Sequence, residues 1–225
     1  MENKTCVLIP ARLASTRFPK KMLADLNGKS LIRTVYDKCL EAGYPVYVLT
    51  DSDEIKNEIP EEHVIVTPNA ENGTHRCALA VDDLPPYERY INVQGDMPDI
   101  TVDIIHKVND SLEAAMVATA YTPMDPALRK DPNSVKLIHN GKRAHWFCRA
   151  SLEYGDHHLG VYGYLYGALK MYLGFNTSDE EELEKLEQLR WLQNHVIINV
   201  NEVDFNGMEI NTPEDLEEWR KRNAE

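Results

Sequence analysis

Between Cys6 and Leu23 the chain reads CVLIPARLASTRFPKKML, and Arg12, Arg17, Lys20 and Lys21 fall within it with no acidic residue among them. The chain as a whole carries a formal net charge of −13, so this local excess of positive charge runs against the composition. An apolar run stops at Pro10, and the Ala, Ser15 and Thr16 side chains that follow keep the loop small. Backbone N–H groups in such a loop can approach an anion closely. Arg12, Arg17 and Lys21 add charge, and the arginines add planar, fork-shaped donors. A polyphosphate is the guest this chemistry suits; the plain alternative is a solvated basic loop. The spacing is neither GxxxxGK(S/T) nor GxGxxG, so P-loop and dinucleotide readings fail on motif. A second candidate is Asp96 in NVQGDMPD, just after another apolar run. A carboxylate beside a phosphate loop suits a hard divalent cation such as Mg²⁺. Its alternative is a turn aspartate following Gly95.

Both candidates depend on the elements that carry them. TCVLI, VYVLT, VIV and YINVQ are short, β-branched strand signals. SLIRTVYDKCLEAG, THRCALAVDDL and VDIIHKVNDSL between and after them read as helices. In the first of these, Leu31, Val35 and Cys39 recur once per turn and Gly43 stops the run. AAMVATAY returns as strand. SVKLIHNGKRAHWF is two strand-like runs around Asn140-Gly141, a hairpin signal. GVYGYLYG reads as strand, and DEEELEKLEQLRWLQ as one helix with Leu183, Leu186, Leu189 and Leu192 on one face. VIINV is a late strand. NTPEDLEEW opens a last helix, with Thr212 as cap, Pro213 at the first position and acids in the first turn. This alternation predicts an α/β fold with a mixed, mostly parallel sheet and helices on both faces. In such sheets ligands bind beyond the carboxyl ends of the strands, where both candidate segments fall. No repeat, linker or low-complexity tract divides the chain, so residues 1–225 are expected to form a single domain.

Composition narrows the function classes. The chain reads as soluble and globular, and no apolar run is long enough to span a bilayer. Lys4 precedes only a short hydrophobic stretch without a cleavage site, so no secretory signal is expected. Cys6, Cys39, Cys77 and Cys148 form no CxxC pair and suit free thiols in a reducing cytoplasm. The acidic balance argues against a nucleic-acid partner. SDEEELEKLEQ and TPEDLEE read as solvated helix faces. His139, His145, His157 and His158 lack HExxH spacing, which argues against a zinc hydrolase.

Taken in order, IPARLASTRFPKKML, INVQGDMP, DPNSVKL, HLGVYGY, LEKLEQLR and INTPEDLEEW closely resemble the 3-deoxy-manno-octulosonate (Kdo) cytidylyltransferase family. The resemblance runs from the first strand to the last helix. It implies a Rossmann-like nucleotidyltransferase fold, with the hairpin and sugar-site region at about residues 133–195. It implies an enzyme that couples CTP to an acidic 2-keto sugar and releases pyrophosphate. Arg12, Arg17 and Lys21 match the family's basic triphosphate residues, and Pro10 and Ala11 the backbone positions lining cytosine. Gly73, Thr74 and Arg76 fall in its nucleotide segment. Gln94, Arg149, His158, Tyr162, Glu187 and Gln188 match positions around the sugar. Asp96 and Asn211 match the metal positions, with Mg²⁺ as the expected ion and Mn²⁺ as its substitute. A homodimer is also implied, while the composition alone argues against nucleic-acid and membrane partners.

The chain departs from the family pattern at several points. His75 and Met97 stand where the family usually has Glu, and Asn211 where a second metal-binding Asp is expected. Asn can ligate Mg²⁺ through its amide oxygen, but without a full charge. The stretch between RASLEYGD and HHLG, which in the family helps build the sugar pocket and dimer contact, is short. Two alternatives therefore stay open: a cytidylyltransferase for another sugar acid or a neutral group, and a nucleotide-binding module without catalysis.

Overall fold

The computed structural model describes residues 4–15 and 17–224, so Thr16 of the basic loop lies outside the described residues. In chain order, β1 (Thr5–Pro10) is followed by a two-residue hairpin, β2 (Asp25–Leu26) and β3 (Lys29–Ser30). Then come α1 (Leu31–Leu40), β4 (Val46–Thr50), α2 (Asp53–Lys56), β5 (Val64–Val66), α3 (Gly73–Ala80) and β6 (Arg89–Val93). The middle of the chain adds α4 (Val102–Asp110), β7 (Val117–Thr122), β8 (Lys136–His139), β9 (Ala144–Cys148) and β10 (Asp156–Leu165). The last elements are α5 (Tyr166–Tyr172), α6 (Asp179–Glu184), α7 (Leu189–Gln193), β11 (Ile198–Glu202) and α8 (Pro213–Arg222).

The main sheet runs β11-β7-β10-β6-β1-β4-β5, with β8 and β9 attached to β10. β5, β4, β1 and β6 are mutually parallel, β10 is antiparallel to both β6 and β7, and β11 is parallel to β7. The expected mixed, mostly parallel sheet is therefore what forms. β1 sits in the middle because Cys6, Val7, Leu8 and Ile9 are all fully buried; a continuous apolar run suits a strand covered on both faces. One face packs against α1 and α4 through Ile32, Val35, Ile104 and Val108, and the other packs Cys77, Leu169, Tyr172 and Trp191. The Ser30 hydroxyl accepts from Arg33 N–H to start α1, and Gly43 (φ 77°) turns the chain out after it.

Two local expectations are corrected. The acidic stretch is not one helix: Lys185 adopts a left-handed conformation (φ 57°) and separates α6 from α7. Leu183 is 83% exposed, while Leu186 and Leu189 are buried, so the four leucines do not share one face. The physical cause lies at Glu187, whose carboxylate turns inward to the first turn of α3 (below). The strand reading of GVYGYLYG also overruns, since Tyr166 and Gly167 already open α5.

Candidate active site

The carboxyl ends of β1 and β6, the β10 irregularity and the segments 133–149, 181–190 and 209–211 enclose a cleft of about 1000 Å³. That volume is at the upper end for small-molecule sites and leaves room for two substrates. Of the residues given a catalytic, binding or metal role from sequence, Thr74 alone does not line it; its side chain is fully buried behind the wall.

The basic loop forms one wall. Pro10 ends β1, and Ala11 is buried with its N–H donating to Leu49 O at 2.9 Å. Arg12 is exposed on the rim and makes no ion pair or hydrogen bond among the described residues. Arg17 Nη1 donates to Asn133 Oδ1 (2.7 Å) and Nη2 to Asn211 Oδ1 (3.4 Å). Lys20, in a left-handed conformation, bends the chain so that Lys21 turns inward, and Lys21 Nζ meets Asp96 Oδ2 at 2.8 Å.

Asp96 follows β6 in a turn whose closeness depends on Gly95: a Cβ there would lie 2.9 Å from Met22 Sδ. Opposite, the pairing of β10 with β7 shifts between Leu159 and Tyr162, an irregularity of the kind that re-aims side chains next to active sites. Gly160 O accepts from Gln94 N–H at 3.2 Å, and a Cβ at Gly160 would meet the Gln94 side chain at 3.0 Å. His158 is buried, and its Nε2 lies 2.9 Å from Thr119 Oγ1. Thr119 donates onward to Val161 O, so His158 donates through Nε2. Burial, with His157 and Arg149 nearby, pushes the His158 pKa down to about 3, and the ring is neutral. Tyr162 is buried and stacks on Tyr164 at 6.0 Å.

The far wall is built by hydrogen bonds of charged side chains inside the fold. Arg149 donates to Glu184 O, Pro132 O and Asn133 O, and burial followed by the Arg17 charge lowers its pKa. Glu187 accepts from the N–H groups of Gly73 and Thr74 (2.9 Å each) and from the Thr74 hydroxyl (2.7 Å). It thus occupies the positive end of α3, and burial still raises its pKa. Gln188 is buried beside it, and its Nε2 has no hydrogen-bond partner. Arg76 turns out of the cleft wall to Thr67 and Asp51.

Whether a divalent cation fits can be judged at Asp96. Its Oδ2 is paired with Lys21, and its Oδ1 is buried without a hydrogen-bond partner. A buried carboxylate oxygen with no donor is the ligand type a hard cation takes. Asn211 lines the same cleft. Of the three substituted positions, Met97 packs in the core and His75 does not line the cleft, so Asn211 is the one of them that lines the site. Reading the motifs overlooked Glu209, which also lines the cleft; burial and the neighbouring Asp96 push its pKa up to about 7. Its signal was there, two residues before Asn211 in MEINTPEDL.

A cytidylyltransferase family model matches residues 6–210. The chain is 35% identical to a 3-deoxy-manno-octulosonate cytidylyltransferase of Bartonella bacilliformis, over 98% of this chain and 99% of the relative. It is 37% identical to the protein of that name from Bartonella henselae, with the same coverage. Among solved structures, a CMP:2-keto-3-deoxy-manno-octonic acid synthetase complexed with CTP superposes with a TM-score of 0.90 at 30% identity, covering 99% of both chains. A glucose-1-phosphate thymidylyltransferase of Bacillus anthracis superposes at 0.72 with 15% identity over 98% of this chain and 96% of its own, a likeness of fold alone.

Proposed function

The chain belongs to the 3-deoxy-manno-octulosonate cytidylyltransferase family, and from that premise we propose that it couples CTP to Kdo, giving CMP-Kdo and pyrophosphate. The observation that carries this reading is the meeting of Lys21 with Asp96 at the floor of a cleft whose rim holds Arg12 and Arg17. The sugar's anomeric oxygen attacks the α-phosphorus of CTP. The new bond is oxygen to phosphorus; the bond that breaks joins the α-phosphorus to the bridging oxygen of pyrophosphate, and the hydroxyl proton leaves to solvent.

Each wall has a part in that displacement. Arg12 and Arg17 hold the triphosphate, and Lys21 faces the charge that grows on the departing pyrophosphate. Pro10 and Ala11 read the cytosine edge through backbone groups. Gly73 and Thr74 are locked by Glu187, which fixes the wall behind the nucleotide. Gln94, Arg149, Tyr162 and Gln188 face the sugar, with Arg149 suited to its carboxylate. Neutral His158 shapes this pocket without adding charge. Asp96 and Asn211 would hold Mg²⁺, or Mn²⁺ in its place. When bound, such an ion neutralises phosphate charge and favours ionisation of the attacking hydroxyl.

Pyrophosphate release tests the reading. We expect release from CTP only when Kdo is present, and little from UTP or ATP. Equal release from all three nucleotides, or release unaffected by the sugar, would contradict it. Among the described residues no helix is long and apolar enough to cross a membrane. Four buried free thiols support a cytoplasmic setting.

A further inference from the structure

Arg190 lines the cleft but has no part in the displacement described above. Its buried guanidinium joins segments that are far apart in the chain. Nε donates to Glu181 Oε2 at 2.8 Å, and Nη2 donates to Glu181 Oε1 (2.7 Å), Thr177 Oγ1 (2.9 Å) and Glu71 Oε2 (2.9 Å). Its Cζ stands 4.6 Å from the centre of the Tyr172 ring, a cation–π distance. Glu181 is buried with Arg190, so these two charges compensate each other inside the fold. Glu71 differs: it precedes α3, and its side chain is 57% exposed, so water would solvate its carboxylate without a partner.

The contact from Arg190 to Glu71 adds to one already present. Glu187 accepts from the N–H groups of Gly73 and Thr74, and Arg190, three residues on, donates to Glu71. Segment 187–190 is therefore tied to segment 71–74 at both of its ends. Tyr172 braces the same joint: its hydroxyl accepts from Asn72 Nδ2 (3.0 Å) and donates to Glu187 O (3.4 Å). Between the two ties lies Gln188, buried and lining the cleft, with an Nε2 that has no hydrogen-bond partner. No bond of its own aims that donor, so its direction follows the backbone that carries it. Glu187 holds that backbone on one side and Arg190 on the other.

The departure at His75 fits this arrangement. Its Nδ1 accepts from Glu71 N–H at 3.2 Å and lies 3.8 Å from the Glu71 carboxylate. A glutamate at 75, the residue usual at that place in the family, would set a second negative charge against Glu71. The imidazole accepts the same N–H without one, which leaves a carboxylate free to stand at 71 within reach of Arg190.

We propose that Arg190 is a positioning residue for sugar binding: its pair with Glu71 sets the wall that carries Gln188 against the nucleotide segment. This rests on the reading of the cleft as a site for CTP and Kdo. Steady-state pyrophosphate release by the full chain, with each substrate varied in turn, tests it. Glu71→Ala removes the exposed partner and should raise KM for Kdo about fivefold, with kcat and KM for CTP within about twofold of the parent. Its melting temperature should match the parent's. Glu71→Gln, whose amide oxygen can still accept from Arg190, should recover part of the loss. Arg190→Lys keeps a charge beside Glu181 but loses the fork, and should raise KM for Kdo in the same way. Combined with Glu71→Ala it should raise that KM no further, because both changes break one contact. An unchanged KM for Kdo in Glu71→Ala overturns the proposal and leaves the cytidylyltransferase reading standing. So do effects that add in the double variant, or equal rises in both KM values with a lower melting temperature. A parent that releases no pyrophosphate from CTP and Kdo overturns the reading and the proposal with it.

Discussion

Lys21 carries the largest functional weight of any single side chain, because it is both inside the fold and at the chemistry. Its ammonium is nearly buried and already paired with Asp96, so it meets new phosphate charge without reorganising. Lys21→Ala should lower kcat by about 10²–10³, the usual loss for one preorganised charge. Steady-state kinetics on a variant with unchanged circular dichroism checks this; normal turnover would remove the loop from the active site. His158 makes a different prediction. Its folded pKa of about 3 lies below its ordinary value of 6.5. Its neutral form therefore adds stability that is full above the ordinary value and is lost as pH falls toward the folded one. Between the two, one such group adds a slope of about 1 kcal/mol per pH unit. His158→Gln, which keeps a donor for Thr119, should flatten the fall in unfolding free energy between about pH 6.5 and 4.5 by that amount. Denaturant titrations across this range measure it, and an unchanged slope would contradict the buried neutral ring.

At the scale of elements, regular segments were legible and departures from regularity were not. The strands that build the sheet centre show as apolar runs, and Thr212 caps α8 in a capping box with Asp215, as its sequence indicated. The break between α6 and α7 left no pattern, because it follows from a tertiary demand: Glu187 must reach Gly73 and Thr74, more than a hundred residues earlier in the chain. Nothing in periodicity announces such a partner. Of the site, the cations stood out by charge against an acidic background and Asp96 by its place just after an apolar run, whereas Glu209 hid among many acids. Lys136 was likewise silent, although it is fully buried and donates to the carbonyls of Asp131, Ser134 and Arg149. It fixes the loop from which Asn133 meets Arg17 and the strand end that carries Arg149. Lys136→Met would leave those carbonyls unsatisfied. It should cost about 3 kcal/mol in denaturant unfolding and raise KM more than it lowers kcat. An isoenergetic substitution would show that the loop is held by other contacts.

For the whole molecule, the acidic net charge makes the basic loop the exception: Arg12, Arg17 and Lys21 give a polyanion a local place to dock on a negative chain. Family membership also leads us to expect a homodimer, despite the short connection from Arg149 to Gly155 between β9 and β10. Light scattering at micromolar concentration should give twice the 25.7 kDa chain mass; the mass of a single chain would contradict that expectation. The central claim is that the cleft joins a cytidylyl group to a keto-sugar oxygen, and ³¹P nuclear magnetic resonance of CTP and Kdo incubated with the enzyme and Mg²⁺ tests it most directly. The account predicts loss of the three CTP resonances, with a phosphodiester signal of CMP-Kdo rising together with a pyrophosphate signal of about twice its area, from two equivalent phosphorus atoms. Intact CTP, or CMP and pyrophosphate formed without a phosphodiester, would contradict it.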